Sequence, residues 1–182
     1  MNKKLFFVFS IVFVLLASSV FAATVTIRPN RQGKYMGWTN VGCSIGYGEW
    51  QCVDEPVADT SDYLQAISTA KETFTFTDIN LTNITISKLG MWYYMKRHNY
   101  DTNRCFSPLI RSNNTDYLSA TPICIFPGYD AWVYRDYNYT TNPATGNQWT
   151  VAEVNALEAG MQGTDPDSGG RIAQVYAVIT YT

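Results

Sequence analysis

Asn142-Pro143-Ala144-Thr145-Gly146-Asn147-Gln148-Trp149-Thr150 leads into the segment 151–160, and the chain closes on Arg171-Ile172-Ala173-Gln174-Val175-Tyr176-Ala177-Val178-Ile179-Thr180-Tyr181. The reading of this stretch decides the fold. Thr150 with Glu153 three residues on is a capping box, in which each side chain satisfies the other residue's backbone N–H. Val151, Val154 and Leu157 make one apolar stripe at helical spacing. Gly160 stands where a left-handed helix end is wanted. The spacing therefore predicts a turn, a short helix over 151–159 capped by Gly160, a polar loop, and a long apolar strand. That strand needs β partners from earlier in the chain.

Working outward, such partners are present. Ala23-Thr24-Val25-Thr26-Ile27-Arg28-Pro29 alternates and is stopped by proline. Asn30 to Gly48 is rich in Gly, Asn and Ser and reads as a long ordered loop or a pair of short strands. Thr73-Phe74-Thr75-Phe76-Thr77 alternates with both phenylalanines expected inward. Asn83 to Lys96 is the longest strand candidate, with a β-bulge expected at Gly90. Arg97 to Pro127 reads as loop-rich, and Trp132 to Thr140 is another alternating aromatic strand. Strands at this spacing with one short helix predict an all-β fold, an antiparallel β-sandwich in one domain over residues 23–182.

The start of the chain sets the compartment. Met1-Asn2-Lys3-Lys4, an apolar run from Leu5 to Leu16 and the small residues before Ala23 have the pattern of a secretory signal peptide over 1–22, cut after Ala22. The alternative is an uncleaved membrane anchor. The 182-residue chain holds 13 basic and 15 acidic residues, and two of the basic ones, Lys3 and Lys4, fall in this leader. A mildly acidic remainder argues against nucleic-acid binding, which requires clustered cations to displace phosphate counterions. Aromatic residues make up 15% of the chain, with 13 tyrosines, a composition suited to β structure.

Cys43, Cys52, Cys105 and Cys124 all lie beyond the leader, and an even count in an exported chain reads as two disulfides. Three connectivities are possible; the local pairs Cys43–Cys52 and Cys105–Cys124 are favoured because each closes a short loop. Zinc is a poor fit, with no Cys-x-x-Cys spacing and a single histidine, His98. Asp54, Glu55, Asp59 and Asp62 crowd one loop. Clustered carboxylates of this kind can wrap calcium, while Asp and Ser serve equally as turn formers.

Catalysis has little footing. His98 follows two cations, no Gly-x-Ser-x-Gly elbow occurs, and the cysteines are committed to disulfides. Asp101, Asp130 and Asp136 could supply the facing carboxylate pair of a glycosidase, as the carboxylates of any protein could. No enzyme activity is expected. Trp132, Tyr134, Tyr137 and Tyr139, with Trp92 and Tyr94 on the other aromatic strand, are candidates for a sugar-stacking platform; the competing reading is that they pair across the sheet and fill the core. Asn80, Asn83, Asn113 and Asn138 each begin an N-x-S/T sequon, with Asn113 in the plainest loop.

The segment from Asn142 to Gly160, with Arg171 and Gln174 to Tyr181, resembles a family of largely uncharacterised β-sandwich domains in archaeal, bacterial and phage surface or structural proteins. Ile27-Arg28-Pro29-Asn30 and the stretch from Cys52 to Tyr63 resemble that family's looser N-terminal motifs. The resemblance implies a jelly-roll-like sandwich in an extracellular or virion structural setting and carries over no catalytic residues. The chain is also similar to subunits of archaeal extracellular filaments, in which an N-terminal strand completes the sheet of the next subunit. That resemblance implies a secreted filament subunit in a head-to-tail homopolymer, with Thr24, Val25, Thr26 and Ile27 as the donated strand. The alternative expectation is a monomeric carbohydrate-binding or adhesion module, with glycans as the partner.

Overall fold

The computed structural model describes residues 21–44, 48–66, 69–98, 104–126, 131–164 and 169–182. The leader expected over 1–22 lies almost wholly outside them. The strands are β1 (Ala23–Ile27), β2 (Pro29–Met36), β3 (Thr39–Val41), β4 (Tyr63–Gln65), β5 (Lys71–Phe76), β6 (Ile86–Arg97), β7 (Arg104–Ser112), β8 (Thr115–Leu118), β9 (Ile123–Ile125), β10 (Val133–Tyr139), β11 (Glu158–Gly163) and β12 (Gly170–Tyr181). A 3₁₀ turn over Glu49–Cys52 and the helix α1 (Val151–Asn155) complete the elements.

Two six-stranded sheets face each other. The first runs β10-β6-β12-β4-β3, with β1 also on β12; the second runs β2-β5-β11-β7-β8, with β9 also on β7. Every pairing is antiparallel. The fold is an antiparallel β-sandwich with one short helix.

Alternation places the core. Leu89, Met91, Tyr93 and Met95 of β6 and Val175, Ala177 and Ile179 of β12 are buried from the first sheet. Phe74, Phe76, Phe106, Ile110, Ala159 and Met161 meet them from the second. Burial of this apolar surface drives the two sheets together. The fully buried Tyr93 also donates its hydroxyl across the core to the Gly160 carbonyl at 3.2 Å.

Several expectations are corrected. The helix ends at Asn155, not Ala159, and Gly160 lies in mid-strand rather than at a helix end. The capping box is present, with Glu153 N–H to Thr150 Oγ1 at 3.2 Å and Thr150 N–H to Glu153 Oε2 at 2.8 Å. What overrides the helical stripe is a second pattern: Ala159 and Met161 alternate inward between β5 and β7. The glycine serves close approach, because a Cβ at 160 would stand 1.8 Å from the Glu72 carbonyl oxygen.

The described residues of the segment 97–127 are not loop-rich, since they hold β7, β8 and β9. Pro108 disguises β7, because proline argues against a central strand. Its carbonyl accepts from Ser119 N–H on the side away from β11, between the stretches paired to β8 and β9. The missing N–H points to that same side, so the ladder with β11 loses nothing. Gly90 carries no bulge; it is in register with Asn138 and Val178. The irregularities fall at Ser87 on β6 and Ala173 on β12. The described residues of the 30–48 stretch hold most of β2 and all of β3, the pair of short strands that is one of its two readings.

The strand expected to be donated to a neighbour is paired instead within its own chain, from Ala23↔Tyr181 through Ile27↔Ala177. Ile27 is buried, and Val25 packs against the core. The alternation that suits donation suits this pairing equally. The chain then crosses between sheets at Arg28-Pro29, where Thr77 N–H donates to the Arg28 carbonyl at 2.9 Å.

Both favoured disulfides are formed. Cys43–Cys52 ties the 3₁₀ turn to the end of β3, and Cys105–Cys124 joins directly opposed residues of β7 and β9. Disulfides fit an oxidising compartment. No helix among the described residues is long and apolar enough to cross a membrane.

Candidate functional site

The outer faces of the two sheets differ sharply in chemistry. On the second sheet, Asp116 of β8 accepts from Tyr35 Oη at 2.8 Å and from Lys71 Nζ and Arg111 Nη1 at 2.5 Å each. Desolvation raises the Asp116 pKa, but those three hydrogen bonds outweigh it and hold the carboxyl at about 2. Thr73 donates its hydroxyl to Glu158 Oε1 at 2.8 Å. On this face Lys71, Arg111, Asp116 and Glu158 are engaged with one another.

The first sheet's outer face is aromatic, and register explains why. β6 sends Leu89, Met91, Tyr93 and Met95 inward, so Trp92 and Tyr94 point outward. Tyr134 of β10 lies opposite Tyr94, whose other neighbour is Gln174 of β12; one step along, Trp92 lies between Asp136 and Tyr176. The next step is Asn138, Gly90 and Val178, where the bare glycine leaves room for the Asn138 amide beside Trp92.

The rings form a continuous row. Tyr63 meets Trp132 at 5.9 Å between centroids, Trp132 stacks on Tyr94 at 5.5 Å, and Tyr94 lies 4.4 Å from Tyr134. Tyr134 meets Tyr176 edge-on at 6.5 Å, and Tyr176 lies parallel to Trp92 at 6.0 Å. Arg171 caps one end, 4.8 Å from the Tyr63 ring, and Arg28 lies 5.4 Å from the Tyr176 ring. Tyr134 is 46% exposed and the other rings of the row are half-buried. Burial, then the nearby Tyr134, raises the pKa of the Tyr176 hydroxyl.

Tyr137 and Tyr139 do not belong to this face. They pair with Met91 and Leu89, turn inward, and pack edge-on 4.8 Å apart, with Tyr139 buried. Two of the aromatic candidates on β10 are thus core, and the others form the face. Tyr63, Tyr176, Arg28 and Arg171 were missed by sequence reasoning. The alternation of β12 against β6 puts Tyr176 on the face, but finding it requires the strand pairing.

The acidic loop supplies no metal site: no group of three or more His, Cys, Asp or Glu residues among the described residues could hold a metal ion. Asp59 serves as a turn former, accepting from Ser61 N–H at 2.8 Å, which lowers its pKa. Burial, and then the negative charges of Asp62, Asp54 and Asp59, push Glu55 up to about 7. Burial also raises Asp54 and Asp62. The loop's backbone is committed to the sheet, with the Val53 carbonyl accepting from Val175 N–H at 2.8 Å between β1 and β4. Asp54, Glu55, Asp59 and Asp62 are not gathered into one ligand set in this arrangement.

His98 contacts Arg171 Nη2 through Nδ1 at 3.0 Å, and burial with the Arg171 and Arg104 charges lowers its pKa. Asp101 and Asp130 lie outside the described residues, and Asp136 hydrogen-bonds Asn138 at 2.7 Å. The sequon residues Asn80, Asn83, Asn113 and Asn138 are all exposed. Asn113 and Asn114, both at positive φ, make the tight turn between β7 and β8, where asparagine is favoured.

No family model matches the chain, and no curated protein matches it. Among solved structures it is similar to the CBM22-1 xylan-binding domain of Paenibacillus barcinonensis Xyn10C, at 14% identity and a TM-score of 0.45, over 84% of this chain and 92% of that one. It is also similar to the CBM35 of Cellvibrio japonicus Abf62, at 12% identity and a TM-score of 0.40, over 86% of this chain and 92% of that one.

Proposed function

We propose that the chain is an exported, non-catalytic carbohydrate-binding module whose binding surface is the outer face of the sheet β10-β6-β12-β4. The observation that carries this reading is the row from Tyr63 through Trp132, Tyr94, Tyr134 and Tyr176 to Trp92, rimmed by Asp136, Asn138 and Arg171. A sugar ring presents a face of C–H groups and a rim of hydroxyls. An aromatic ring takes the first by dispersion and weak C–H contacts, and a neighbouring carboxylate, amide or guanidinium takes the second. Aromatics of this kind have an apolar body and a polar edge, which suits surfaces that must stay wet until a ligand arrives. An extended row along a sheet face suits a linear chain of several sugar units.

This reading departs from the filament expectation, whose donor strand is already paired in its own sheet. Affinity electrophoresis through gels containing soluble xylan, mannan, glucan or galactan tests it. At least one polysaccharide retards the protein, and Trp132→Ala abolishes the retardation. Migration unchanged in every gel rejects the proposal.

A further inference from the structure

Asn138 belongs both to the aromatic face and to a modification motif, the sequon Asn138-Tyr139-Thr140. Of the four sequons, those of Asn80 and Asn83 lie between β5 and β6, and that of Asn113 starts at the β7–β8 turn. Asn138 alone of the four stands on a strand, near the end of the edge strand β10. Tyr137 and Tyr139 turn inward on either side of it, so its amide points out from the face, opposite the bare Gly90. Asn138 Oδ1 and Trp92 Nε1 lie 2.8 and 3.5 Å from the point where a Cβ on Gly90 would stand. The amide therefore sits beside the last ring of the row.

Asn138 and Thr140 are both exposed, as an acceptor motif must be. Asn138 Nδ2 carries two hydrogens, and one is held by Asp136 Oδ2 at 2.7 Å. The other is the one that N-glycosylation replaces. In that step Nδ2 bonds to the anomeric carbon of a lipid-phosphate-linked oligosaccharide, the donor of a secretory membrane. The anomeric C–O bond breaks, its electron pair leaves with the lipid phosphate, and the amide proton passes to a base of the transferase. The secondary amide that results keeps one N–H, enough for Asp136. A glycan rooted there begins beside Trp92. Like any ligand on a short tether, it meets the rings at an effective concentration on the order of millimolar, and free polysaccharide must displace it.

We infer that Asn138 carries an N-linked glycan whose first sugars lie over the Trp92 end of the row, so that the glycosylated chain binds polysaccharide more weakly than the bare one. This rests on the reading of the aromatic face as the sugar-binding surface.

The test passes the full chain through the secretory route of a eukaryotic cell line fed ¹⁵N-tryptophan. It is compared with Thr140→Ala, which removes the motif and leaves Asn138 in place, and with Thr140→Ser, which keeps the motif. Peptide mapping finds a glycan on Asn138 in the parent and in Thr140→Ser. The Trp92 indole ¹H–¹⁵N resonance, assigned by its loss in Trp92→Phe, has one position in those two proteins and another in Thr140→Ala. Retardation in the polysaccharide gel is several-fold stronger for Thr140→Ala. A bare Asn138 in the parent, or one Trp92 position in all three proteins, overturns the inference, as does equal retardation of all three in a gel that retards them. If no gel retards Thr140→Ala, the aromatic-face reading fails, and the Trp92 resonance decides where the glycan lies.

Discussion

Tyr134 lies directly across the ladder from Tyr94, with ring centroids 4.4 Å apart, and its hydroxyl donates to Gln174 Oε1 at 3.1 Å. One side chain thus spans three strands, resting on β6 while bonded to β12. The hydroxyl and the ring do separable work. Tyr134→Phe removes the hydrogen bond and leaves the buried Gln174 oxygen unpaired, so stability falls by about 1 kcal/mol in denaturant unfolding. Sugar binding persists in that variant because the ring remains. Tyr134→Ala loses the cross-strand aromatic pair, about 1 kcal/mol, and weakens polysaccharide retardation as well.

The buried Glu72 sets a pH dependence. Its Oε2 accepts from Gly37 N–H at 3.0 Å and Trp38 N–H at 3.2 Å, and Gln32 donates to Oε1. Burial, reinforced by the Glu49 charge, pushes its pKa up from 4.5 to about 8. The folded chain therefore keeps a proton that the unfolded chain releases, and stability falls as pH rises from about 4.5 to about 8. The loss accrues at up to roughly 1.4 kcal/mol per pH unit. Glu55, raised to about 7, acts in the same direction. Glu49→Gln removes the like charge and makes the decline shallower. Thermal unfolding across this range measures it, and a profile that rises toward pH 8 contradicts it.

Gly160→Ala places a methyl group 1.8 Å from the Glu72 carbonyl oxygen, on backbone that cannot yield cheaply. The expected cost is about 3 kcal/mol, at the upper end for overpacking, read from the denaturation midpoint. Gly146→Ala has open space around it but a φ of +73°, and its cost stays near 1 kcal/mol.

The first strand belongs to its own sandwich. Ile27 is 2% exposed, so Ile27→Ala costs about 2–5 kcal/mol. Deletion of residues 23–27 uncovers β12 and yields a chain that does not fold stably when expressed. A deleted protein that remains folded and monomeric with an unchanged unfolding midpoint contradicts the in-chain pairing.

Local chemistry was legible in the sequence wherever it was self-contained. The Thr150–Glu153 capping box, the inward Phe74 and Phe76, and both short-range disulfides depend on residues close in the chain. Features set by distant partners were not. Glu158 to Gly163 looks like a helix end until β5 and β7 flank it, and Pro108 hides a central strand until the gap between β8 and β9 is known. The candidate site was half visible for the same reason. Trp92, Tyr94, Trp132 and Tyr134 stood out as aromatic, but Tyr137 and Tyr139 part from them only once the register with β6 assigns the inward side.

The central claim is that the aromatic face of the first sheet receives the ligand, and the indole resonances of the five tryptophans test it most directly. The protein is titrated with an oligosaccharide cut from the polysaccharide that retards it most. The account predicts that Trp92 and Trp132 shift together and saturate at one affinity, while the buried Trp38 stays in place. Shifts confined to Trp38, Trp50 and Trp149, with Trp92 and Trp132 unmoved, would contradict it.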